Sequence, residues 1–311
     1  MKMDGFYHQP VLLQAVVEAL VIRPGTVIVD GTLGGGGHSE AILRSNDSVR
    51  VVGLDQDDDA LEAAARRLIE FQDRIMIKKT NYQDAKTVLG QMGLDTVDGV
   101  LLDLGVSSHQ LDTGERGFSF NRDGALDMRM NRSCGMTAAH VVNTYTEFEL
   151  EKIFREYGEE HQARKIAREI VRRREDKPFS STLDLAGFIE KICGGRHGKI
   201  HPATKVFQAL RIEVNNELGA LQNGLEGFSG LLAKGGRFAV ITFHSLEDRI
   251  VKHYFRDCSQ EMIDHPTWAS ARKNPRHLFR LVTRKPVEAT DDEIRANPRA
   301  RSAKLRIVEK I

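Results

Sequence analysis

The chain has 311 residues, 41% hydrophobic and 29% charged, with a formal net charge of +1. Disorder is excluded by that composition, and the near-neutral balance leaves any nucleic-acid surface to local clusters of charge. Cys134, Cys193 and Cys258 stand far apart with no Cys-x-x-Cys pair. An odd, dispersed set points to neither a disulfide framework nor zinc, and no metal site is expected. No apolar signal core opens the chain and no stretch approaches membrane-spanning length, so a cytoplasmic protein without membrane attachment is expected.

Pro10 followed by Val11, Leu12, Leu13, Val16, Val17 and Leu20 has helical spacing and predicts a packing helix. Val27 to Asp30 is a β-branched run; a glycine loop, Gly31 to His38, leads from it straight into helix-like Ser39 to Leu43. That is strand, tight turn and helix start, the arrangement that lets backbone approach a ligand. A second strand, Val49 to Leu54, ends at Asp55, about 20 residues past the glycines, where a Rossmann-type fold puts a carboxylate on a ribose.

Charge decides which ligand suits the loop. Phosphates at the helix start would face Asp30 at the tip of the first strand and be repelled. The loop lacks the Lys-Ser/Thr ending of a P-loop and has no Gly-x-Gly-x-x-Gly window, because Ser39 or Glu40 falls where the third glycine belongs. S-adenosylmethionine carries a sulfonium and an ammonium. Asp30 would favour its methionine half and Asp55 its ribose hydroxyls.

Leu61 to Leu68 reads as an alanine-rich helix and Arg74 to Lys79 as a third strand, with Tyr82 just past its end. An aromatic there suits either an adenine or plain rim packing. Val97 to Leu102 is a fourth strand ending at Asp103. Asp30, Asp55 and Asp103 thus mark three successive strand ends, the edge where open α/β sheets bind ligands.

After Gln110 the alternation of strand and helix stops for too long a stretch to be a loop, so an inserted subdomain is expected. We expect it to cover residues 113–212, within a discontinuous domain of residues 1–112 and 213–311. Arg116 to Gly124 interleaves glycine, arginine and phenylalanine, which suits either stacking on bases or a surface loop with its rings in the core. Glu147 to Glu175 is amphipathic and broken near Gly158; its solvent side gathers Arg164, Lys165, Arg168, Arg172, Arg173 and Arg174. Interspersed glutamates equally fit a solvated face. Leu183 to Ile192 forms another helix, a polar turn passes through Gly194 to Gly198, and one long helix runs from His201 past Leu225. Lys234-Gly235-Gly236 turns into a fifth strand, Arg237 to Phe243. The polar cluster from His244 to Arg249 then opens a helix over Ile250 to Phe255. Leu278 to Thr283 and Ala303 to Val308 are the last strands.

Several long motifs are similar to the RsmH (MraW) family: His8 to Leu13, Asp30 to His38, Asp103 to Ser108, Glu115 to Ser119 and Leu126 to Met130. Phe207 to Arg211, Phe243 to Arg249 and Asn297 to Ser302 extend the likeness over essentially the whole chain. The resemblance implies a class I S-adenosylmethionine-dependent methyltransferase, a Rossmann-like α/β fold with a mostly parallel seven-stranded sheet. A helical insertion would bind the substrate. It further implies methylation of the exocyclic N4 of one cytidine in the decoding region of 16S rRNA, within the small ribosomal subunit. Gly36, Gly37, His38, Asp55, Tyr82, Asp103 and Gln110 are the cofactor residues it implies, and Asp30 joins them on the charge argument. The Asp/Asn/Ser-Pro-Pro-aromatic signature of many amino-directed methyltransferases is absent, so no catalytic base is assigned. Rival readings are a methyltransferase acting on protein or a small molecule, a non-catalytic RNA-binding assembly factor, and a nicotinamide oxidoreductase.

Overall fold

The computed structural model describes residues 10–133, 135–196, 201–265, 267–268 and 270–311. His8, Gln9, Cys134 and the 197–198 end of the polar turn lie outside them. Two compact units emerge, residues 1–105 with 219–311, and residues 106–218. The divisions fall at 106 and 218 rather than 113 and 212, because Val106 and Val214 pack against the second unit's core.

In chain order the first unit begins α1 (Leu13–Ala19), β1 (Val27–Asp30), α2 (Gly37–Ser45), β2 (Arg50–Asp55) and α3 (Asp58–Arg67). It continues β3 (Ile75–Lys79), α4 (Ala85–Gln91) and β4 (Val97–Asp103). The second holds α5 (Ser108–Asp112), α6 (Ala138–Thr144), α7 (Glu147–Glu156), α8 (Ala163–Asp176), α9 (Thr182–Ile192) and α10 (Ala203–Asn215). The chain then runs through α11 (Glu217–Leu231), β5 (Leu232–Thr242), α12 (Ser245–Asp257), β6 (Met262–Ile263) and β7 (Arg272–Lys273). It ends with β8 (Phe279–Leu281), β9 (Val287–Glu288), α13 (Asp291–Ala296) and β10 (Lys304–Lys310).

The first unit is built on one sheet ordered β3-β2-β1-β4-β5-β10-β8. β9 pairs with β10 and makes an eighth strand where seven were expected. β3, β2, β1, β4 and β5 run parallel, and β10 is antiparallel to β5 and β8. Alternation along each strand explains the layering: Ile28, Val51, Leu101 and Ala239 face one core, Val29, Val52, Val100 and Phe238 the other. Helices α1, α2 and α3 cover the first face; α4, α11 and α12 cover the second. Strand order reverses between β1 and β4, and the crevice beyond their carboxyl ends is where such sheets bind ligands.

The second unit closes its own core from α6 to α10, with Phe154, Phe179, Leu150 and Leu210 buried together. Its entry segment is locked by backbone: a Cβ on Gly124 would lie 1.9 Å from Gly114 O, and one on Gly117 2.3 Å from Ala125 O. Phe118 is buried, and the Phe120 ring packs 4.8 Å from Phe207 and 4.7 Å from His201. Those two rings anchor the segment, so of the two readings of this stretch the structure bears out the loop with its rings in the core.

One expected long helix is two. Asn216 adopts φ 48° between α10 and α11, and Arg211 reaches across the break to Glu217 with two 2.8 Å hydrogen bonds. α12 begins at Ser245 rather than Ile250, because Glu247 Oε2 accepts the Phe243 N–H at 2.9 Å and stabilises the first turn. The Lys234-Gly235-Gly236 turn lies inside β5, where pairing with β4 shifts register between Val97 and Gly99.

Candidate active site at the β1–β4 crevice

The glycine loop is held from both sides by the strands it leaves. Gly31 N–H donates to Leu101 O and Leu33 N–H to Leu54 O, both at 2.9 Å. Gly34 N–H donates to Asp55 Oδ2 at 2.8 Å, Gly36 N–H to Leu33 O at 2.8 Å, and Thr32 N–H to Asp30 Oδ1 at 3.3 Å. With these five amides engaged, the loop has no continuous ring of donors to wrap a phosphate, unlike a P-loop. Gly36 has φ 77°, and a Cβ there would lie 2.9 Å from Leu68; one on Gly37 would lie 2.5 Å from Pro10. The missing side chains let the loop sit tight on α3 and the α1 entry.

Asp30, at the end of β1, is only 1% exposed and accepts the Ser39 hydroxyl at 2.7 Å. Burial pushes its carboxyl up to about 6 despite that bond. Both its oxygens are engaged inside the loop, and the bond to Ser39 fixes the start of α2. Asp55, at the end of β2, is pushed up to about 6 by burial; amides of Asp57 and Gly34 hold it in place.

Asp103 completes the row. Its backbone N–H donates to Thr32 Oγ1 at 2.6 Å, tying the β4 end to the glycine loop. Its Oδ2 lies 3.6 Å from His38 Nδ1, and its buried Oδ1 has no partner among the described residues. Desolvation, then the neighbouring carboxylates Asp30 and Glu247, push it up to about 8. His38 Nε2 is 3.0 Å from Val11 O; a carbonyl only accepts, so this nitrogen donates and Nδ1 turns to Asp103.

Tyr82 stands in a short 3-10 turn after β3, its ring against Gly224 of α11 and its Cβ near Gly31. Thus Asp30, Gly36, Gly37, His38, Asp55, Tyr82 and Asp103 all belong to the first unit. Gln110 belongs to the second, where its side chain accepts the Ser107 N–H at 2.9 Å and closes the capping box of α5. Sequence reasoning missed Thr32, Ser39 and Glu247. The first two sit inside the loop motif as small hydroxyls. Glu247 is marked only by its place three residues into a helix.

A row of one buried and two half-buried carboxylates, one oxygen without a partner among the described residues, is starved of positive charge. It fits a cationic ligand and disfavours a pyrophosphate. Fold and site together define a class I methyltransferase whose cofactor is S-adenosylmethionine. The family model described as MraW methylase matches residues 5–311, and the chain belongs to that family. Similar proteins include the ribosomal RNA small subunit methyltransferase H of Carboxydothermus hydrogenoformans, 54% identical and covering 98% of each chain. Those of Syntrophotalea carbinolica and Symbiobacterium thermophilum are each 50% identical, the former covering 100% of both chains and the latter 99% of this chain and 98% of its own. Among the described residues no helix is long and apolar enough to cross a membrane.

Proposed function

We propose that this enzyme methylates the exocyclic N4 of one cytidine in the decoding region of 16S rRNA, acting in the cytoplasm on the small ribosomal subunit. The relatives' activity on small-subunit rRNA supports the substrate, and the partnerless Asp103 Oδ1 at the β4 end carries the chemistry. In this reading Gly36, Gly37, His38, Asp55, Tyr82, Asp103 and Gln110 hold the cofactor, with Asp30 setting the field, and residues 106–218 bind RNA.

When bound, S-adenosylmethionine supplies a methyl group already activated by its sulfonium, so the protein contributes alignment and electrostatics. The acceptor is harder, because the N4 lone pair is delocalised into the cytosine ring. Ionised Asp103 accepts a hydrogen bond from the amine at Oδ1, favouring a tetrahedral nitrogen and receiving the departing proton. Attack at C5 would need a thiolate. Cys258 is buried and Cys193 lies in the helical unit, and burial pushes both thiols up.

The test is mass spectrometry of 16S rRNA from a strain lacking this protein, complemented by wild type or by Asp103→Asn. Loss of one N4-methylcytidine, restored by wild type alone, is expected. An unchanged spectrum, or label transferred from radioactive cofactor to protein alone, would refute the substrate.

A further inference from the structure

The basic side of α8 is sorted by the structure into two sets. Arg173 and Arg174 are structural: Arg173 forms a two-pronged bond to Asp184 at 2.7 and 2.8 Å, with its guanidinium 4.0 Å from the Phe179 ring. Arg174 donates to Val142 O at 2.7 Å. The second set faces outward. Arg164, Lys165, Arg168 and Arg172 are exposed, and Ile166, Ala167 and Ile170 on the opposite side are buried in the unit's own core.

Arg164, Arg168 and Arg172 follow at four-residue steps, which on an α-helix makes a line with a rise of about 6 Å per step. Arg168 shares Glu169, Lys165 donates to Ile192 O, and Arg164 and Arg172 have no acidic partner among the described residues. Glu175, a turn beyond Arg172, ends the line with the opposite sign. Three guanidiniums in a row suit a chain of anions that repeats at nearly the same interval, as phosphodiesters do, and arginine binds phosphate by a planar fork. A membrane surface is disfavoured, because the helix's apolar side is already spent inside the protein.

We propose that the α8 line of Arg164, Arg168 and Arg172 docks the sugar-phosphate backbone of the RNA substrate, with Lys165 at its margin. This rests on the rRNA reading above and names the surface that would carry it. The contact is sequence-independent and positions the strand, leaving base selection to other residues.

The test compares wild type with the triple variants Arg164→Ala/Arg168→Ala/Arg172→Ala and Arg164→Lys/Arg168→Lys/Arg172→Lys. Binding of a 16S rRNA fragment is titrated over a salt series, with circular dichroism confirming the fold. The alanine variant is expected to flatten the slope of log affinity against log salt by about 2, at about 0.7 per lost phosphate contact on a single strand. Its KM for the small subunit should rise several-fold with kcat and cofactor affinity kept, and the lysine variant should recover most of the slope. An unchanged slope in folded alanine variant overturns the proposal while leaving the rRNA reading intact if wild type methylates. Wild type that binds this RNA but methylates neither it nor the small subunit overturns only that reading. Wild type that does not bind the RNA at all, or a variant defect seen only with an acidic protein, overturns the α8 proposal.

Discussion

At the scale of single residues, the crevice is governed by how burial treats carboxylates. Asp103 keeps its proton to about pH 8 in the ligand-free protein, because desolvation and two like charges oppose ionisation. A cationic ligand reverses that balance. S-adenosylmethionine binding at neutral pH is therefore expected to release protons and to tighten as pH rises from about 6 to about 8. Calorimetry in two buffers of different ionisation heat measures the release. Asp103→Asn should abolish most of it and weaken binding by about tenfold, on the scale of a hydrogen bond to a charged group. Proton release unaltered in that variant would remove Asp103 from the site. Ser39 has a separate duty: it is the side-chain donor to buried Asp30. Ser39→Ala is expected to cost about 1–3 kcal/mol in urea unfolding, and much less when Asp30 is already Asn. Equal costs in both backgrounds would show that the bond is not what Ser39 supplies.

Elements set where those residues stand. The glycine loop turns tightly because Gly36 takes a left-handed conformation against Leu68 and Ala64 of the α3 region. Gly93 also has positive φ, at +72°, with nothing near its missing Cβ. Both alanine variants should lose about 1–2 kcal/mol from backbone strain. Gly36→Ala should lose more, since Leu68 must move, and it alone should weaken cofactor binding. Equal urea midpoints for the two would mean that the loop packs less tightly than its contacts indicate. The glycine run was legible in the sequence as a turn; the direction in which it packs was not, because that depends on Leu68 and Pro10 arriving from other elements. Helix boundaries escape the local pattern for a similar reason. The break at Asn216 lies within one continuous run of helical apolar spacing, and it shows only in the left-handed backbone there and the Arg211–Glu217 clasp.

Over the whole molecule, two groups of carboxylates pull stability in opposite directions. Asp30, Asp55 and Asp103 hold protons more tightly folded than unfolded, since each rises from 3.8. Their stabilising contribution is complete below that value and is lost as pH climbs through about 6 and then about 8. Asp127 is lowered: Arg129 and its amide outweigh the opposing effect of burial. At Asp248, Arg306 likewise outweighs burial. Their contribution is present above the ordinary carboxylate range and fails as pH falls through it. The ligand-free protein is therefore expected to be most stable in weak acid, with a fall from about pH 6 to about pH 8 that Asp103→Asn flattens. Thermal unfolding across pH measures this; a steady rise to pH 8 would contradict the raised row of carboxylates.

By itself the sequence determined the alternation of strands and helices, the three aspartates at successive strand ends, and the long motifs that place the chain in its family. Those signals are local: period, turn chemistry and order along the chain. Only the tertiary structure decided that Asp30 is spent inside its own loop and that Asp103 keeps an oxygen without a partner. It alone showed Phe118 and Phe120 serving the core, and two of six α8 cations serving structure. Each of these depends on what lies across space from a side chain, and burial, hydrogen bonding and field strength are set there rather than by neighbours in sequence.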